Sequence, residues 1–520
     1  MGIYVNPNNE AFKEDLKLKI FVDKSELISL TNSLLDSDNK YMCVSRPRRF
    51  GKTIGVNLLT AYYSKGCDSK ELFSNLKIAN NPDFETHLNK YNVISLCISK
   101  FKEIGKDVDN ILPTMISSIK LELQEEFPQI KDKINRPLLL VLSEIYRLTK
   151  EKFIVLIDDW DYIFRVTNKS KIRDDYLNYL IVLFNDSPYI KLAYLTGLLP
   201  VKKYKALSSL NNFDEYTMLN PGKSAEYFGY TEDEMKELCV KFNSDYDDVK
   251  SWYDGYLMSN NIHIFNPRSI KKALPEGKLK EYWFSIYYFE VLGTPINRNL
   301  RGLREKVIKL LGGERINADV SDFQSDIEAI RYSDEILTLL VHLGYLSYDE
   351  SSKEIFIPNH EIRAEIGKTL ERSEWKEVLR ALNNSDNLLK ATWNLDEKLV
   401  VEYIVKAHLD LSTLFKFNSE ETLRLVLFIA YHSALRYYSF KKEYTSGKDI
   451  ADLILIPYKN SNKPLIVIEL KHCKTSGTLI DNIKEKKYID TIENYSGVII
   501  LVSLTYDDRK YSCEIEKINK

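Results

Sequence analysis

The sequence has few cysteines, and those it has are scattered. Its 520 residues include 6 cysteines, no two of them at the CxxC spacing, together with 7 dispersed histidines. Zinc sites are built from closely spaced ligands of these types, so the sequence predicts none. Unclustered cysteines fit the reducing conditions of the cytoplasm, where we expect the protein to act.

Long apolar runs and a strong excess of charge are also missing. No stretch of about 18 consecutive apolar residues is present, and the N-terminal segment lacks the apolar core of a signal peptide. We therefore expect no membrane span. The net charge of -2 excludes a protein coated with basic residues for non-specific nucleic-acid binding, although a local basic groove is compatible with it.

The chain does contain enough apolar material for several cores. With 44% apolar residues, a chain of this length can form about two to four domains. Residues 1–220 alternate β-branched strands with helical segments, which predicts an α/β domain with a largely parallel sheet. Residues 221–400 are helical in pattern, and a helix pair followed by a hairpin indicates a winged-helix-like element. Residues 401–520 return to an α/β pattern.

Near-continuous apolar runs predict the strands of the first domain, as expected for strands buried on both faces. These predicted strands are Tyr41–Ser45, Asn92–Cys97, Phe153–Ile157 and Ile190–Thr196. In the last domain the pattern predicts a helix over Glu420–Tyr437, strands over Ala451–Pro457 and Pro464–Lys471, a helix over Asp481–Glu493, and a final strand in GVIILVSL.

The segment YMCVSRPRRFGKTIGVNLLTAYY places a strand, a turn with a GKT tripeptide and a helix in that order. In this context backbone N–H groups at a helix N-terminus hold phosphates, the lysine neutralises their charge and the hydroxyl ligates Mg²⁺. The residues predicted to form this phosphate loop are Arg46, Pro47, Arg48, Arg49, Phe50, Gly51, Lys52 and Thr53. RPRR could instead be a nuclear-localisation or nucleic-acid patch, but its position directly before GKT favours the phosphate loop.

Two further strands end in polar residues that complete the same site. FIVLIDDWD ends in carboxylates, of which Asp158 is placed to hold Mg²⁺ and Asp159 to activate the attacking water. KLAYLTGLLP ends at Thr196, which is placed to contact that water or the γ-phosphate. A solvated strand end is the alternative for the carboxylates. The ordered combination of strand–GKT–helix, strand–DD and strand–T favours an ATP site.

A second set of carboxylates lies in EYTSGKDIADLILIPYKNSNKPLIVIELKH near the C-terminus. Asp452 opens one predicted strand, while Glu469 and Lys471 lie two residues apart on the next, so their side chains share a face. Carboxylates from adjacent strands can hold Mg²⁺ or Mn²⁺ beside a lysine that orients a water against a phosphodiester. An exposed ion pair between Glu469 and Lys471 is the alternative interpretation.

Several of these segments resemble a known family. SRPRRFGKT, LIDDWD, TGLLP, SLNNFDEYTML and WYDGY resemble the AAA-ATPase-like family that also carries a C-terminal PD-(D/E)XK nuclease domain. The resemblance implies a P-loop NTPase fold of the ASCE/AAA type at the N-terminal end and a restriction-endonuclease-like domain at the C-terminal end. In related sequences a carboxylate on the helix before the strands assists the metal; Glu420 is the best positional match, and Glu443 is another carboxylate near the hairpin.

One residue departs from the family pattern. The family commonly has Asp-Glu at the end of the strand that corresponds to FIVLIDDWD, whereas this chain has Asp158-Asp159 there. Aspartate is one methylene shorter, and a misplacement of about 1 Å can cost about 100-fold in rate. We therefore predict secure ATP binding with slow hydrolysis.

The leading hypothesis joins the two sites. ATP occupancy would gate a metal-dependent nuclease that acts on nucleic acid, DNA in preference to RNA, in processing or in defence against mobile elements. A conformational switch or binding scaffold with an inactive nuclease-like domain is the alternative. Such ATPases often form homo-oligomers in which a neighbouring subunit supplies an arginine, and Arg165 and Arg173 are the candidates in this chain.

Overall fold

The computed structural model describes most of the chain in separate ranges. These are 2–201, 210–283, 300, 302–321, 323, 330–370, 376–412, 420–441, 453–459, 461–472, 495–507 and 510–519. The chain divides into two compact units, and the segments of the two units alternate along the sequence. The first unit comprises 1–238, 255–272 and 318–353, and the second comprises 239–254, 273–317 and 354–520. The division into three consecutive domains stays a prediction.

A five-stranded parallel sheet lies at the centre of the first unit. Its strands are β1 (Tyr41–Ser45), β2 (Asn92–Cys97), β3 (Phe153–Asp158), β4 (Ile190–Gly197) and β5 (Asp214–Tyr216), in the order β2-β3-β4-β1-β5. β1 and β3 are buried along their whole length, which requires apolar side chains on both faces. Because the strands are parallel, their carboxyl ends meet at one edge of the sheet, where such folds bind ligands.

Helices connect these strands and supply most of the remaining core. They are α1 (Glu10–Leu16), α2 (Leu27–Asn32), α3 (Lys52–Tyr63), α4 (Lys70–Phe73), α5 (Phe84–His87), α6 (Ile98–Gly105), α7 (Ile111–Glu126), α8 (Leu138–Thr149), α9 (Tyr162–Val166) and α10 (Ser170–Phe184). In α7 the buried residues Met115, Ile119 and Leu123 recur every four positions, so they share one face. That face joins the same apolar core as Val155 of β3.

Shorter elements complete the first unit. β6 (Tyr230–Thr231), β7 (Tyr256–Met258) and β8 (Ile262–Phe265) form an antiparallel sheet in the order β6-β8-β7. Between β7 and β8, Asn260 and Asn261 adopt left-handed φ angles of 61° and 57°, which asparagine tolerates in tight turns. α11 (Glu232–Lys241) follows β6, and α13 (Pro267–Glu276) follows β8.

The second unit contains a mixed five-stranded sheet. Its strands are β12 (Tyr438–Lys441), β13 (Leu453–Pro457), β14 (Leu465–His472), β15 (Val498–Asp507) and β16 (Lys510–Asn519), in that order. β12, β13 and β14 pair antiparallel, β15 is parallel to β14, and β16 returns antiparallel to β15. The apolar side chains of β13, β14 and β15 form a separate core around Ile454, Val467 and Leu501.

The second unit also contains helices. They are α12 (Tyr246–Tyr253), α14 (Leu303–Leu311), α16 (His360–Leu370), α17 (Lys376–Trp393), α18 (Glu397–Ser412) and α19 (Glu420–Ala430). Two short strands, β9 (Ile316–Asn317) and β11 (Glu354–Phe356), pair antiparallel. Hydrogen bonds between Ser385 and Ser433, at 3.0 Å, and between Thr392 and Tyr431, at 2.8 Å, link α17 to the segment that follows α19.

The predicted strands of the first domain are confirmed, and β3 and β4 extend one residue further than predicted. The helix predicted over Glu420–Tyr437 is too long, because α19 ends at Ala430 and a 3-10 turn covers His432–Arg436. The helix predicted over Asp481–Glu493 lies outside the described residues. In the middle segment, α15 (Ser333–Leu343) is a helix and β10 (Ser347–Asp349) a strand, as the pattern of helices followed by a hairpin predicts. The winged-helix-like assignment stays a prediction.

A bilayer crossing requires a helix that is both long and strongly apolar. Among the helices in the described ranges, none meets both conditions.

Candidate functional site

The loop between β1 and α3 lies at the carboxyl edge of the parallel sheet. It closes on Gly51, whose φ of 97° lies in the left-handed region that glycine adopts without strain. α3 begins directly afterwards with Lys52, so the first amides of this 12-residue helix, which have no partner within it, lie at the loop. A helix N-terminus after such a loop attracts anions, above all phosphates.

The Lys52 side chain folds back over this loop. It is buried, and its Nζ donates hydrogen bonds to the carbonyl oxygens of Arg46 at 2.8 Å and Pro47 at 2.9 Å. Burial lowers the pKa of Lys52 to about 8, against the opposing effect of Asp158 and Asp159. An anion in front of the loop would stabilise the charged form of this lysine, so the site favours a negatively charged ligand.

Asp158 ends β3 and connects three elements through its carboxylate. Oδ2 accepts a hydrogen bond from Thr53 of α3 at 2.6 Å, and Oδ1 accepts one from Thr196 of β4 at 2.5 Å. Because β3 and β4 are neighbouring parallel strands, Asp158 and Thr196 meet at the same edge. Burial, and then the charge of Asp159, raise the pKa of Asp158, so a cation at this carboxylate would relieve an unfavourable buried charge.

Asp159 follows in a left-handed backbone conformation with φ of 54°, which is uncommon for a residue other than glycine. Its amide donates to Oδ1 of Asp158 at 3.0 Å, and its own Oδ1 accepts a hydrogen bond from Arg165 at 3.2 Å. The Asp159 side chain is 32% exposed. The carboxylate therefore lies beside the loop with access to solvent.

The three arginines of the loop occupy different environments. Arg46 is buried, and its guanidinium donates to the Tyr216 carbonyl at 2.9 Å and to Ser224 Oγ at 3.0 Å. Burial lowers the pKa of Arg46 to about 9. Its donors thus point into the protein and hold the loop to β5 and the segment beyond. Arg48 is half-buried, and Arg49 is exposed at the rim.

Pro47 and Phe50 fix the backbone of the loop. Both are buried, and the ring of Phe50 packs edge-on against Tyr256 with 5.2 Å between the ring centroids. The Phe50 carbonyl also accepts a hydrogen bond from the Gly229 amide at 2.9 Å. These contacts act through packing and backbone, so the two residues position the loop amides for a ligand.

A cavity of about 400 Å³ adjoins the loop in the first unit. This volume lies within the range of about 300 to 1,000 Å³ that is usual for small-molecule sites. The aromatic residues of its wall are Phe12, Phe21, Phe50, Tyr227 and Tyr230, and its basic residues are Lys24, Arg49, Lys52, Arg268, Lys271 and Lys272. An apolar, aromatic surface beside several cations suits a ligand with a flat ring and a polyanionic tail.

Two of these cavity lysines have carboxylates nearby. Lys24 pairs with Glu234 at 2.6 Å, and burial nevertheless lowers the pKa of Lys24. Burial also lowers the pKa of Lys271, against the opposing charge of Asp15. A polyanion bound in the cavity would stabilise the charged forms of both lysines.

The oxygen groups around Asp158 suit a hard divalent cation. The Thr53 hydroxyl and the Asp158 carboxylate are in contact, and both are ligand types that Mg²⁺ prefers. Within the ranges that the structure describes, no three His, Cys, Asp or Glu side chains are grouped as a metal site. Phosphate and water would complete the coordination, as is usual for Mg²⁺. The residues present therefore fit a nucleotide-bound Mg²⁺.

The structure describes one carboxylate of the predicted C-terminal site in full. Glu469 lies in β14 at 3% exposure and pairs in register with Ser503 of β15, so it does not belong to an exposed ion-pair surface. Lys471 lies two residues further along β14 and Glu420 begins α19, and only their backbones are described. Asp452 lies outside the described residues. The four-residue cluster therefore stays a prediction.

Comparison with known proteins bears on the first unit. Residues 12–206 match the family model described as "Predicted AAA-ATPase". This segment is a predicted AAA-type ATPase domain. The match includes the phosphate loop, the strand that ends at Asp158 and the strand that ends at Thr196. It does not extend to the C-terminal sheet.

Other comparisons add little to this result. Among curated proteins, none matches the chain. A solved structure of the Aeropyrum pernix ORC2 protein, in ADPNP and ADP complexes, is similar over 67% of this chain and 92% of that chain, with 13% identity and a TM-score of 0.24. A TM-score this low does not bear on fold or function.

Several residues of the ATPase domain's site carry no local sequence signal. Lys24 and Arg268 line the cavity beside the phosphate loop, yet each is far from it in the sequence. Arg165, in the helix that follows, contacts Asp159 of the same chain. From the sequence alone, Arg165 is only a candidate for the arginine that one subunit supplies to its neighbour. The third carboxylate of LIDDWD, Asp161, is the one local signal for a partner of Arg165, which lies between Asp159 and Asp161.

Proposed function

We propose that the AAA-type ATPase domain binds ATP with Mg²⁺ in the cavity beside residues 46–53 and hydrolyses it slowly. The observation that carries the proposal is the convergence of Lys52, Thr53, Asp158 and Thr196 at the carboxyl edge of the sheet, next to a cavity with aromatic and basic walls. A helix N-terminus, a lysine and a hydroxyl–carboxylate pair together suit the phosphates and the Mg²⁺ of a bound nucleotide.

Each residue of the site has a distinct role in this proposal. The loop amides and the Lys52 ammonium bind the phosphates, with the lysine released from its two carbonyl contacts. Thr53 and Asp158 hold Mg²⁺, which when bound neutralises charge on the phosphates. Thr196 fixes the Asp158 carboxylate through its hydrogen bond, and the aromatic wall packs against the base.

Asp159 is the residue proposed to orient the attacking water. It lies beside Asp158 and keeps access to solvent, but it is one methylene shorter than glutamate. A misplacement of about 1 Å can cost about 100-fold in rate. We therefore expect turnover below about 1 per second, well under the value of about 10 per second that is typical of enzymes.

Phosphate release in excess ATP and Mg²⁺ tests this rate. The wild type should release phosphate slowly, and Asp159→Asn should reduce the rate at least tenfold while ATP still binds. Asp174→Asn, which changes a carboxylate of α10, is the matched control and should keep the wild-type rate. A wild-type turnover of many per second would contradict the proposal of slow hydrolysis.

A second candidate function concerns the C-terminal sheet. α19 precedes three strands that pair antiparallel, and β15 lies parallel to β14. This arrangement supports the helix–strand–strand–helix–strand order expected of PD-(D/E)XK nucleases, whose second helix falls outside the described residues of this chain. The burial of Glu469 within β14 favours a metal-ligating role over a surface ion pair. We propose that Asp452, Glu469 and Lys471 form a phosphodiesterase site for Mg²⁺ or Mn²⁺, with Glu420 assisting.

Nicking of plasmid DNA in the presence of Mn²⁺ or Mg²⁺ tests the second candidate. Wild-type protein should nick the plasmid, Asp452→Ala and Glu469→Gln should not, and ATP should alter the wild-type rate. Glu516→Gln on β16 serves as a control. Equal, negligible cleavage by all four proteins would leave the alternative function, in which ATP drives a conformational switch or a binding scaffold with an inactive nuclease-like domain.

A further inference from the structure

The guanidinium of Arg165 lies between two carboxylates next to the phosphate loop. Its Nη2 donates to Oδ1 of Asp159 at 3.2 Å, and its Nε is 3.3 Å from Oδ2 of Asp161. The Arg165 side chain is 7% exposed and that of Asp161 only 1%. The contact with Asp161 is an ion pair between two buried groups, and the attraction between opposite charges is stronger where water is excluded.

Asp161 is in turn fixed to the end of β4. Its Oδ2 accepts hydrogen bonds from the backbone amides of Leu198 and Leu199, both at 3.1 Å. These two residues directly follow the strand whose Thr196 hydrogen-bonds Asp158. The carboxyl end of β4 therefore holds both Asp158 and, through Asp161, the arginine that contacts the neighbouring carboxylate.

The other candidate arginine has no such position. Arg173 of α10 is buried, and it donates to the carbonyls of Phe164 at 3.0 Å and Thr167 at 2.6 Å and to the side chain of Asn168 at 2.8 Å. These contacts hold the turn between α9 and α10. Of the two arginines, Arg165 is the one that contacts the carboxylate proposed to orient water.

We propose that Arg165 is a positioning residue for hydrolysis: anchored by Asp161 to the end of β4, it holds the Asp159 carboxylate at the place where the attacking water is oriented. The inference rests on the proposed ATPase function. It gives Arg165 a role within its own chain instead of on the ATP of a neighbouring subunit.

The exposure of the Asp159 side chain explains why a second group is needed to hold it in place. Asp159 has a left-handed backbone, and its side chain is about one-third exposed, so without a partner it can rotate into solvent. Because the aspartate is short, a small displacement removes it from the water. One contact from a rigid guanidinium restricts that rotation, whereas phosphate binding by Lys52 and the loop amides does not depend on it.

A double-mutant cycle in single-turnover ATP hydrolysis tests the proposal. Arg165→Gln should lower the hydrolysis rate about 10- to 100-fold, as a displacement near 1 Å would, and leave the Kd for ATP within about threefold. In the Asp159→Asn background the same change should have almost no further effect, because Arg165 acts through Asp159. A merely structural role would instead reduce both backgrounds by the same factor.

Two further variants keep the test decisive. Arg165→Lys retains the buried charge but cannot contact both carboxylates with one planar group, so it should fold and lower the rate in the same direction. Arg173→Gln removes a buried arginine whose hydrogen bonds go to Phe164, Thr167 and Asn168, so it should lower the Tm but act equally in both backgrounds. Additive effects of Arg165→Gln, or a wild-type rate in Arg165→Lys, would overturn the proposal. Absence of ATP binding by the wild type would instead remove the proposed function itself.

Discussion

At the scale of single residues, the carboxyl ends of β3 and β4 are packed with almost no spare space. A Cβ atom placed on Gly197 would lie 2.6 Å from both Cδ1 and Nε1 of Trp160. The Trp160 ring is fully buried, and its carbonyl accepts a hydrogen bond from Tyr176 at 3.0 Å. An alanine at this position would therefore force the buried indole or the strand itself to shift.

We predict that Gly197→Ala lowers the free energy of unfolding by about 1 to 3 kcal/mol, the usual cost of overpacking a core. Urea denaturation at neutral pH measures the change. Gly55→Ala in α3 is the matched control, because its new Cβ would meet neighbours at 3.4 Å or more. A helical alanine should there be neutral or stabilise by up to about 1 kcal/mol. Equal stabilities of Gly197→Ala and the wild type would contradict the prediction.

Residue-level prediction from the sequence succeeds where the chain order itself carries the signal. Lys52, Thr53, Asp158 and Thr196 follow buried strands, and the structure brings them together at the sheet edge. The direction of the Arg46 side chain could not be predicted, because its partners lie some 170 residues later in the sequence. Contacts of that range depend on the tertiary fold and leave no local pattern.

At the scale of secondary structure elements, apolar runs are the informative signal. β1 to β4 are buried runs, and their predicted bounds are accurate to one residue. β5 was not predicted, because Asp214–Tyr216 is short, polar and half-buried. Its strand conformation depends on its pairing with β1. β16 alternates exposed and half-buried residues along its length, so it too lacks an apolar run.

Two buried histidines, one in α16 and one in the turn after α19, are expected to make the stability of the second unit depend on pH. His360 of α16 hydrogen-bonds the Tyr458 hydroxyl at 2.5 Å, and His432 lies beside Gly367 of the same helix. Burial, followed by the charge of Arg363, lowers the pKa of both histidines to about 3. Their ordinary pKa is about 6.5, so the unfolded chain binds protons that the folded chain excludes between pH 6.5 and 3.

We predict that the second unit loses stability as the pH falls below about 6.5. Each histidine contributes up to about 1.4 kcal/mol per pH unit, because the unfolded state holds about one more proton per histidine in that range. Urea denaturation at pH 7 and pH 5 of the wild type and of His360→Asn, which preserves a polar atom near Tyr458, measures the effect. The variant should show a shallower pH dependence, and identical slopes would contradict the account.

At the scale of the whole molecule, the two compact units are built from alternating chain segments. The first unit takes in 255–272 and 318–353, and the second takes in 239–254 and 273–317. The alternation depends on contacts between segments that are distant in the sequence, and such contacts leave no local pattern.

The central claim is that residues 46–53 and Asp158 bind ATP with Mg²⁺, and calorimetric titration with ATP and Mg²⁺ tests it most directly. The wild type should bind with measurable heat. Lys52→Ala should bind about 10- to 100-fold more weakly, because a charge-assisted contact contributes about 1.5 to 3 kcal/mol. The control Lys90→Ala, an exposed lysine distant in sequence from the loop, should bind like the wild type. No heat from the wild type, or equal affinity in wild type and Lys52→Ala, would contradict the claim.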